Sequence, residues 1–217
     1  MRSVFVIMVF MLGMVLMTPG AHSRSIDESQ RYRICLAKAH STPSAAYEDA
    51  IIWKNEGGAG PARHCIAMAL LGLGAYAEGA QKLESLAYAP DIGDESLRTQ
   101  ALIQSGEAWL QAHKPREALR VLDRALERDP DNTEAHIKRA RTLMAMERPI
   151  EAHMDLDAAI RAQPQNALAL RLRAAVLLFK KDLDGAQKDI EATLALEPDN
   201  VEALLVRGQI REAKRLQ

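Results

Sequence analysis

A four-residue pattern returns at a fixed beat in the second half of the chain: Asp129-Pro130-Asp131-Asn132, then Gln163-Pro164-Gln165-Asn166, then Glu197-Pro198-Asp199-Asn200, so that Pro130, Pro164 and Pro198 are evenly spaced. Such a period marks stacked supersecondary units, each of which needs its neighbours to bury its apolar face. Small residues keep the same beat. Gly106, Ala140 and Ala174 fall at one fixed distance before each proline, and Gly208 recurs after the last one. A second set, Ala118, Ala152 and Ala186, is followed two helical turns later by Ala125, Ala159 and Thr193. Small residues at such spacing put a narrow stripe on one helical face, which lets a partner helix approach closely. Ala, Leu, Glu and Arg dominate beyond residue 95, and aromatic residues are only 4% of the chain. Unbranched side chains lose little rotamer freedom in a helix, so an all-α fold is expected.

Spacing and residue type together resemble the signature of the tetratricopeptide-repeat (TPR) family, whose helix-turn-helix unit is about 34 residues long. The resemblance covers units 99–132, 133–166 and 167–200, followed by a polar capping helix over 201–214. Thr193 replaces the usual Ala, and Trp109, Leu143 and Leu177 replace the common Tyr. The implied fold is a right-handed α-solenoid of about five hairpins, with the strong units in 95–217 and degenerate TPR-like units in 24–94. Within that weaker region, residues 61–89 read as one unit, and 27–39 with 44–55 as a helix pair before it. The connection 90–95 lacks periodicity and is the expected point of bending.

In this family the first helices of successive units line a concave groove that holds a partner polypeptide. Carried over by repeat phase, the resemblance selects Gln104, Glu107 and Gln111, then Ile137, Lys138, Arg141 and Met144, then Arg171, Ala175, Leu178 and Phe179, and Leu205 and Gln209 in the cap. Lys138, Arg141 and Arg171 would meet acidic groups of the partner, while Met144 and Phe179 would take an apolar side chain. Some relatives grip the acidic C-termini of heat-shock chaperones with Lys and Asn. Here those places hold Ile103, Glu107, Lys138, Leu168 and Leu172, so that clamp is missing apart from Lys138.

The N-terminus reads as an export signal over 1–23: Arg2, an uncharged apolar stretch from Val4 to Met17, the pair Pro19-Gly20, and the small-x-small site Ala21-His22-Ser23. The stretch is shorter than the roughly 20 residues of a spanning helix. Cleavage after Ser23 would start a periplasmic or secreted chain at Arg24; the alternative is an uncleaved anchor that tethers an accessory subunit to the membrane. The two cysteines, Cys35 and Cys65, suit a disulfide in an oxidising compartment, against the alternative of two buried thiols.

Other chemistries find little support. The 28 Lys plus Arg nearly balance the 29 Asp plus Glu, leaving no field that would draw in nucleic acid. The histidines of the mature chain, His40, His64, His113, His136 and His153, show no metal-binding i, i+4 pair. There is no G-x-S-x-G elbow, phosphate loop or dinucleotide fingerprint, so neither a cofactor nor an enzymatic role is expected. Arg139 and Arg173 precede Asp155 and Asp189 by the same interval, the pattern of a salt bridge repeated in each unit. The expected role is a non-enzymatic scaffold for a protein or peptide partner. In exported bacterial members of the family, such scaffolds serve envelope assembly, maturation or hydrolase complexes.

Overall fold

The computed structural model describes residues 20–92 and 94–216, with side chains from Glu28 onward. The apolar stretch Val4–Met17 lies outside the described residues. Eleven α-helices and no strands occur among the described residues. They are α1 (Gly20–Ser41), α2 (Pro43–Asn55), α3 (Ala59–Gly72), α4 (Tyr76–Ala87), α5 (Glu95–Gln111), α6 (Pro115–Arg128), α7 (Thr133–Ala145), α8 (Pro149–Ala162), α9 (Ala167–Phe179), α10 (Leu183–Leu196) and α11 (Val201–Arg215). Consecutive helices pack as antiparallel hairpins, which makes this the all-α repeat fold that the periodicity implies. None of these helices is long and apolar enough to cross a membrane.

The repeated X-Pro-X-Asn pattern acts as both stop and start. A residue before proline is pushed out of the helical region, and Asp129, Gln163 and Glu197 accordingly end α6, α8 and α10 with φ near −136°, −134° and −133°. Three residues on, Asn132, Asn166 and Asn200 cap the next helix, accepting from the backbone N–H of Ala135, Ala169 and Ala203 at 3.0, 3.0 and 2.8 Å. Each cap amide also donates back to the pre-proline side chain, at 2.9, 2.9 and 2.6 Å. One four-residue signal thus ends one helix, caps the next and fixes the angle between them.

Within the hairpins a second device recurs. His113, Glu147 and Lys181 take left-handed φ values of 57°, 58° and 64° at the tight turn. Lys114, Arg148 and Asp182 then donate their N–H groups to Trp109, Leu143 and Leu177 at 2.9 Å each, satisfying carbonyls that the helix end leaves unpaired. At the corresponding turn between α3 and α4 the left-handed residue is Gly74, with φ 77°.

The small-residue stripes are fully buried. Ala118, Ala152, Ala186, Ala125, Ala159 and Thr193 are all inaccessible, with Leu122, Leu156 and Ile190 wedged between them. A Cβ on Gly106 would lie 2.5 Å from Leu122 Cγ, so glycine there is required by close packing. Thr193 fits an alanine site because its hydroxyl donates to the Asp189 carbonyl at 2.9 Å and leaves no orphaned polar group.

The core continues through the connection between α4 and α5. Ile92 joins a buried cluster shared by α3 to α7, and the Arg98 guanidinium donates to the carbonyls of Ala87, Ala89 and Ile92. The segment expected to bend is therefore pinned by one side chain from the following helix. At the other end, Cys35 and Cys65 form a disulfide that joins α1 to α3, with Cα atoms 6.1 Å apart.

The repeated charges form a ladder. Arg139 donates from Nε and Nη2 to both oxygens of Asp155, at 2.9 and 2.6 Å, and from Nη1 to Asp123 of the preceding hairpin at 2.8 Å. Arg173 repeats the arrangement with Asp189 (2.6 and 2.8 Å) and Asp157 (2.6 Å). The sequence pairing Arg139–Asp155 and Arg173–Asp189 is thus present, and Asp123 and Asp157 extend it between hairpins.

His136 completes the lower rung. Its Nδ1 lies 2.9 Å from Asp155 Oδ1 and its Nε2 lies 2.9 Å from the Pro130 carbonyl, so both ring nitrogens face acceptors. The Asp155 hydrogen bond raises the imidazole pKa against the opposing effect of burial. A raised folded-state pKa contributes stability that is complete below the unfolded value of about 6.5 and fades as pH rises through the folded value. The gap in melting temperature between the wild type and His136→Gln is therefore expected to be widest near pH 6 and to shrink by pH 9. A constant gap over a pH series of thermal melts would contradict a charged His136.

Candidate binding groove

The first helices α5, α7, α9 and α11 touch their neighbours two positions along the chain, and no pair of second helices makes comparable contact. Helices draw together on the inner side of a curved stack, so the exposed residues of these four helices that point away from the second-helix side line its hollow face.

The structure sorts the sequence-selected residues into three groups. Gln104, Glu107, Gln111 and Lys138 share one depression of about 180 Å³ with Met68, Leu71 and Tyr76 of the preceding hairpin and with Glu134. Ala175, Phe179, Leu205 and Gln209 lie further along and are exposed or half-exposed. Ile137 is a correction: it is 4% exposed and belongs to the core between α7, α8 and α9, so no partner reaches it. Met144 and Leu178 are half-buried against the cores of their own and the next hairpin, and serve packing first.

The cations also differ from expectation. Lys138 Nζ lies 3.1 Å from Glu107 Oε2, and Arg141 Nη1 donates to the same carboxylate at 3.0 and 2.9 Å. Burial works to raise the Glu107 pKa, but the two neighbouring cations outweigh it and hold the carboxyl below its usual range. Glu107 thus remains an anion and occupies both Lys138 and Arg141 across the α5–α7 contact. Arg171 makes no ion pair among the described residues, and its Nε is buried without a partner.

Gln104 is likewise held from below. His64 is buried beside the disulfide, with Nδ1 2.5 Å from the Tyr32 hydroxyl and Nε2 2.7 Å from Gln104 Oε1. Burial lowers the His64 pKa, which favours the neutral ring. Its Nε2–H then donates to Gln104 while Nδ1 accepts from Tyr32. This chain of contacts runs from α1 through α3 to α5.

Beyond α7 the groove becomes apolar. Leu168 is 42% exposed, Phe179 64% and Leu205 63%, with Leu172 and Val206 half-buried between them. Sequence reasoning puts Leu168 and Leu172 at clamp positions but does not include them among the groove residues. Their phase, one repeat after Glu134 and Lys138, is the signal that could have found them. Met68, Leu71 and Tyr76 carry no comparable signal, because the unit that contains them lacks the Pro-x-Asn marker.

Residues 110–176 match the model of a family described as tetratricopeptide repeat. Among curated proteins, none matches the sequence. Similar solved structures include the first TPR of Spaghetti (RPAP3) bound to an HSP90 peptide, SRMEEVD, which is 26% identical with a TM-score of 0.54, covering 57% of this chain and 98% of that one. YrrB, a TPR protein with an unusual peptide-binding site, aligns over 87% of this chain and 98% of its own at 18% identity and TM-score 0.63. MamA from Desulfovibrio magneticus RS-1 aligns over 81% and 98% at 17% identity and TM-score 0.65.

Proposed function

We propose that this chain, a tetratricopeptide-repeat protein, works outside the cytoplasm as a scaffold that holds a partner polypeptide in its hollow face. The observation that carries this reading is the exposed apolar run Leu168, Phe179 and Leu205 on the last two first helices of the groove, where a solvated helical face would carry charge. The apolar leader-like stretch Val4–Met17 and the Cys35–Cys65 disulfide support export to an oxidising compartment such as the bacterial periplasm. Cleavage after Ser23 would shorten α1 by the turn Gly20–Ser23 and leave the Cys35 contact in place.

The partner fits a different chemistry from the acidic peptide held by the RPAP3 domain. Glu107 and Glu134 place anions where such a peptide would bring its own, and Lys138 and Arg141 are already occupied. An amphipathic segment laid along the groove would bury its apolar side chains on Leu168, Phe179 and Leu205 and meet polar groups around Gln104 and Gln111.

Photo-crosslinking from position 179 in the native envelope, followed by mass spectrometry, identifies the partner. With that partner purified, Phe179→Ser together with Leu205→Ser is expected to weaken binding by roughly thirtyfold, as for the loss of a central apolar anchor. Lys138→Ala is expected to change it by less than about threefold, because that ammonium is engaged by Glu107. The reverse order of effects would overturn the apolar reading in favour of a charge-led groove.

A further inference from the structure

Helix α11 repeats the pattern of a first helix, and no second helix covers it among the described residues. Leu204, Arg207, Gly208 and Arg211 stand one repeat after Leu170, Arg173, Ala174 and Leu177 of α9, of which Arg173 pairs with Asp189 of α10, Ala174 and Leu177 share a core with α10, and Leu170 is buried. They stand two repeats after His136, Arg139, Ala140 and Leu143, the face of α7 that α8 covers. On α11 that face is open among the described residues: Leu204 is 37% exposed, and a Cβ added to Gly208 would meet nothing within 4 Å. The equivalent Cβ on Gly106 would meet Leu122 at 2.5 Å.

Charge specifies what the face lacks. Arg139 and Arg173 each hold a carboxylate from their own second helix, Asp155 or Asp189, one residue before the branched side chain Leu156 or Ile190 that fills the small-residue hollow. Arg207 occupies the same place and makes no ion pair among the described residues. Glu191, which replaces Asp157 in this register, accepts from Gln187. Lys214 and Arg215 are engaged by Asp184 and Glu212, which leaves Arg207 and Arg211 as the cations of the face. Arg211 stands where the internal hairpins bury Leu143 and Leu177, and it is exposed, so it adds positive charge at the edge of the face.

We propose that the open face of α11 docks an acidic amphipathic helix of a partner protein, in the register that α10 takes on α9. That helix carries a small residue, an Asp or Glu three places later, and a branched apolar residue immediately after it. A second copy of this chain does not fit the description. Its own helices of that pattern keep Asp155 and Asp189 buried against Arg139 and Arg173, and two α11 faces brought together would oppose four arginines. This site lies apart from the hollow face, so it stands or falls independently of the groove.

A fluorescein-labelled peptide of residues 183–196, stapled through the exposed positions 184 and 188, serves as the probe, with fluorescence anisotropy on the purified full chain. The peptide is expected to bind the wild type and to lose at least about tenfold in affinity with Gly208→Leu or Arg207→Glu. The Asp189→Arg peptide is expected to recover binding to Arg207→Glu. Gly208→Leu fills open space, and a matching thermal melt verifies that it folds. Absence of binding, equal binding to Gly208→Leu, or binding lost only with Phe179→Ser and Leu205→Ser would overturn the proposal. So would a wild-type dimer in sedimentation that Gly208→Leu abolishes.

Discussion

Replacing Arg139 with leucine is expected to lower the free energy of unfolding by about 3 kcal/mol, the low end of the range for breaking a buried pair from one side. The cost comes from what remains. Asp155 is 3% exposed and would keep only His136 as a partner. With the guanidinium in place, burial raises the Asp155 pKa, but hydrogen bonds from His136 and Arg139 and the Arg139 charge outweigh it and hold the carboxyl below its ordinary value. A depressed folded-state pKa contributes stability that is present above the unfolded pKa and is lost as pH falls through the folded value. Losing Arg139 removes its hydrogen bonds and charge from that contribution and leaves His136 to hold the carboxylate alone.

Two comparisons isolate the cause. Asp123→Ala, on the exposed side of the same guanidinium, is expected to cost less than about 1 kcal/mol, because water and Asp155 still solvate the cation. Adding Asp155→Leu to Arg139→Leu is expected to restore part of the loss, since no orphaned charge then remains. Denaturant unfolding measures all four proteins. Equal small losses from Arg139→Leu and Asp123→Ala would show that burial of Asp155 does not govern the ladder.

Opening the Cys35–Cys65 bond is the second large perturbation. The bond spans a sequence separation of 30, and freeing a loop of that size restores unfolded-state entropy worth about 3 to 4 kcal/mol. For a chain of this length that corresponds to a fall of roughly 10 °C in melting temperature. The effect should centre on the first hairpins, because α1 packs on α2 and α3 and touches nothing beyond them to a comparable degree. Trp53, buried with both cysteines and Tyr32, reports on that region. Its fluorescence transition is expected to move to lower temperature in dithiothreitol, while cooperative melting of α7 to α10 followed by hydrogen exchange stays nearly constant. A Trp53 transition indifferent to reductant would mean that the bond is not formed in solution.

Much of this architecture was legible because a repeat states the same instruction several times. The Pro-x-Asn beat located the boundaries α6/α7, α8/α9 and α10/α11, and the structure shows why: proline excludes the preceding residue from the helix and asparagine caps the next one. The constant Arg–Asp interval predicted a bond between antiparallel helices, and the bond is there in two hairpins. The groove was less legible. Ile137 and Lys138 are adjacent in sequence and both fall near the inner face, yet one is inaccessible and the other lines a depression. A helix rotates about 100° per residue, so phase alone resolves a face only to within one position.

The groove cations misled in a similar way. Lys138 and Arg141 read as free cations along the chain, because Glu107 lies on a different helix, about one full repeat earlier. Likewise the connection at residues 90–95 read as the point of bending because it lacks periodicity. The Arg98 guanidinium instead fastens the Ile92 carbonyl within it and those of Ala87 and Ala89 just before it.

What the residues alone determined was local and periodic: where helices stop and start, which faces are small, and which charges repeat in phase. Each of those follows from backbone sterics and short-range hydrogen bonding, which act within a few residues and so leave a pattern in the chain. Tertiary structure decided which side chains on the hollow face stay available, because availability depends on partners one or two repeats away. It also decided that Leu204 and Gly208 face open space although they repeat the buried Leu170 and Ala174, since equivalent positions differ only in whether another helix lies on top.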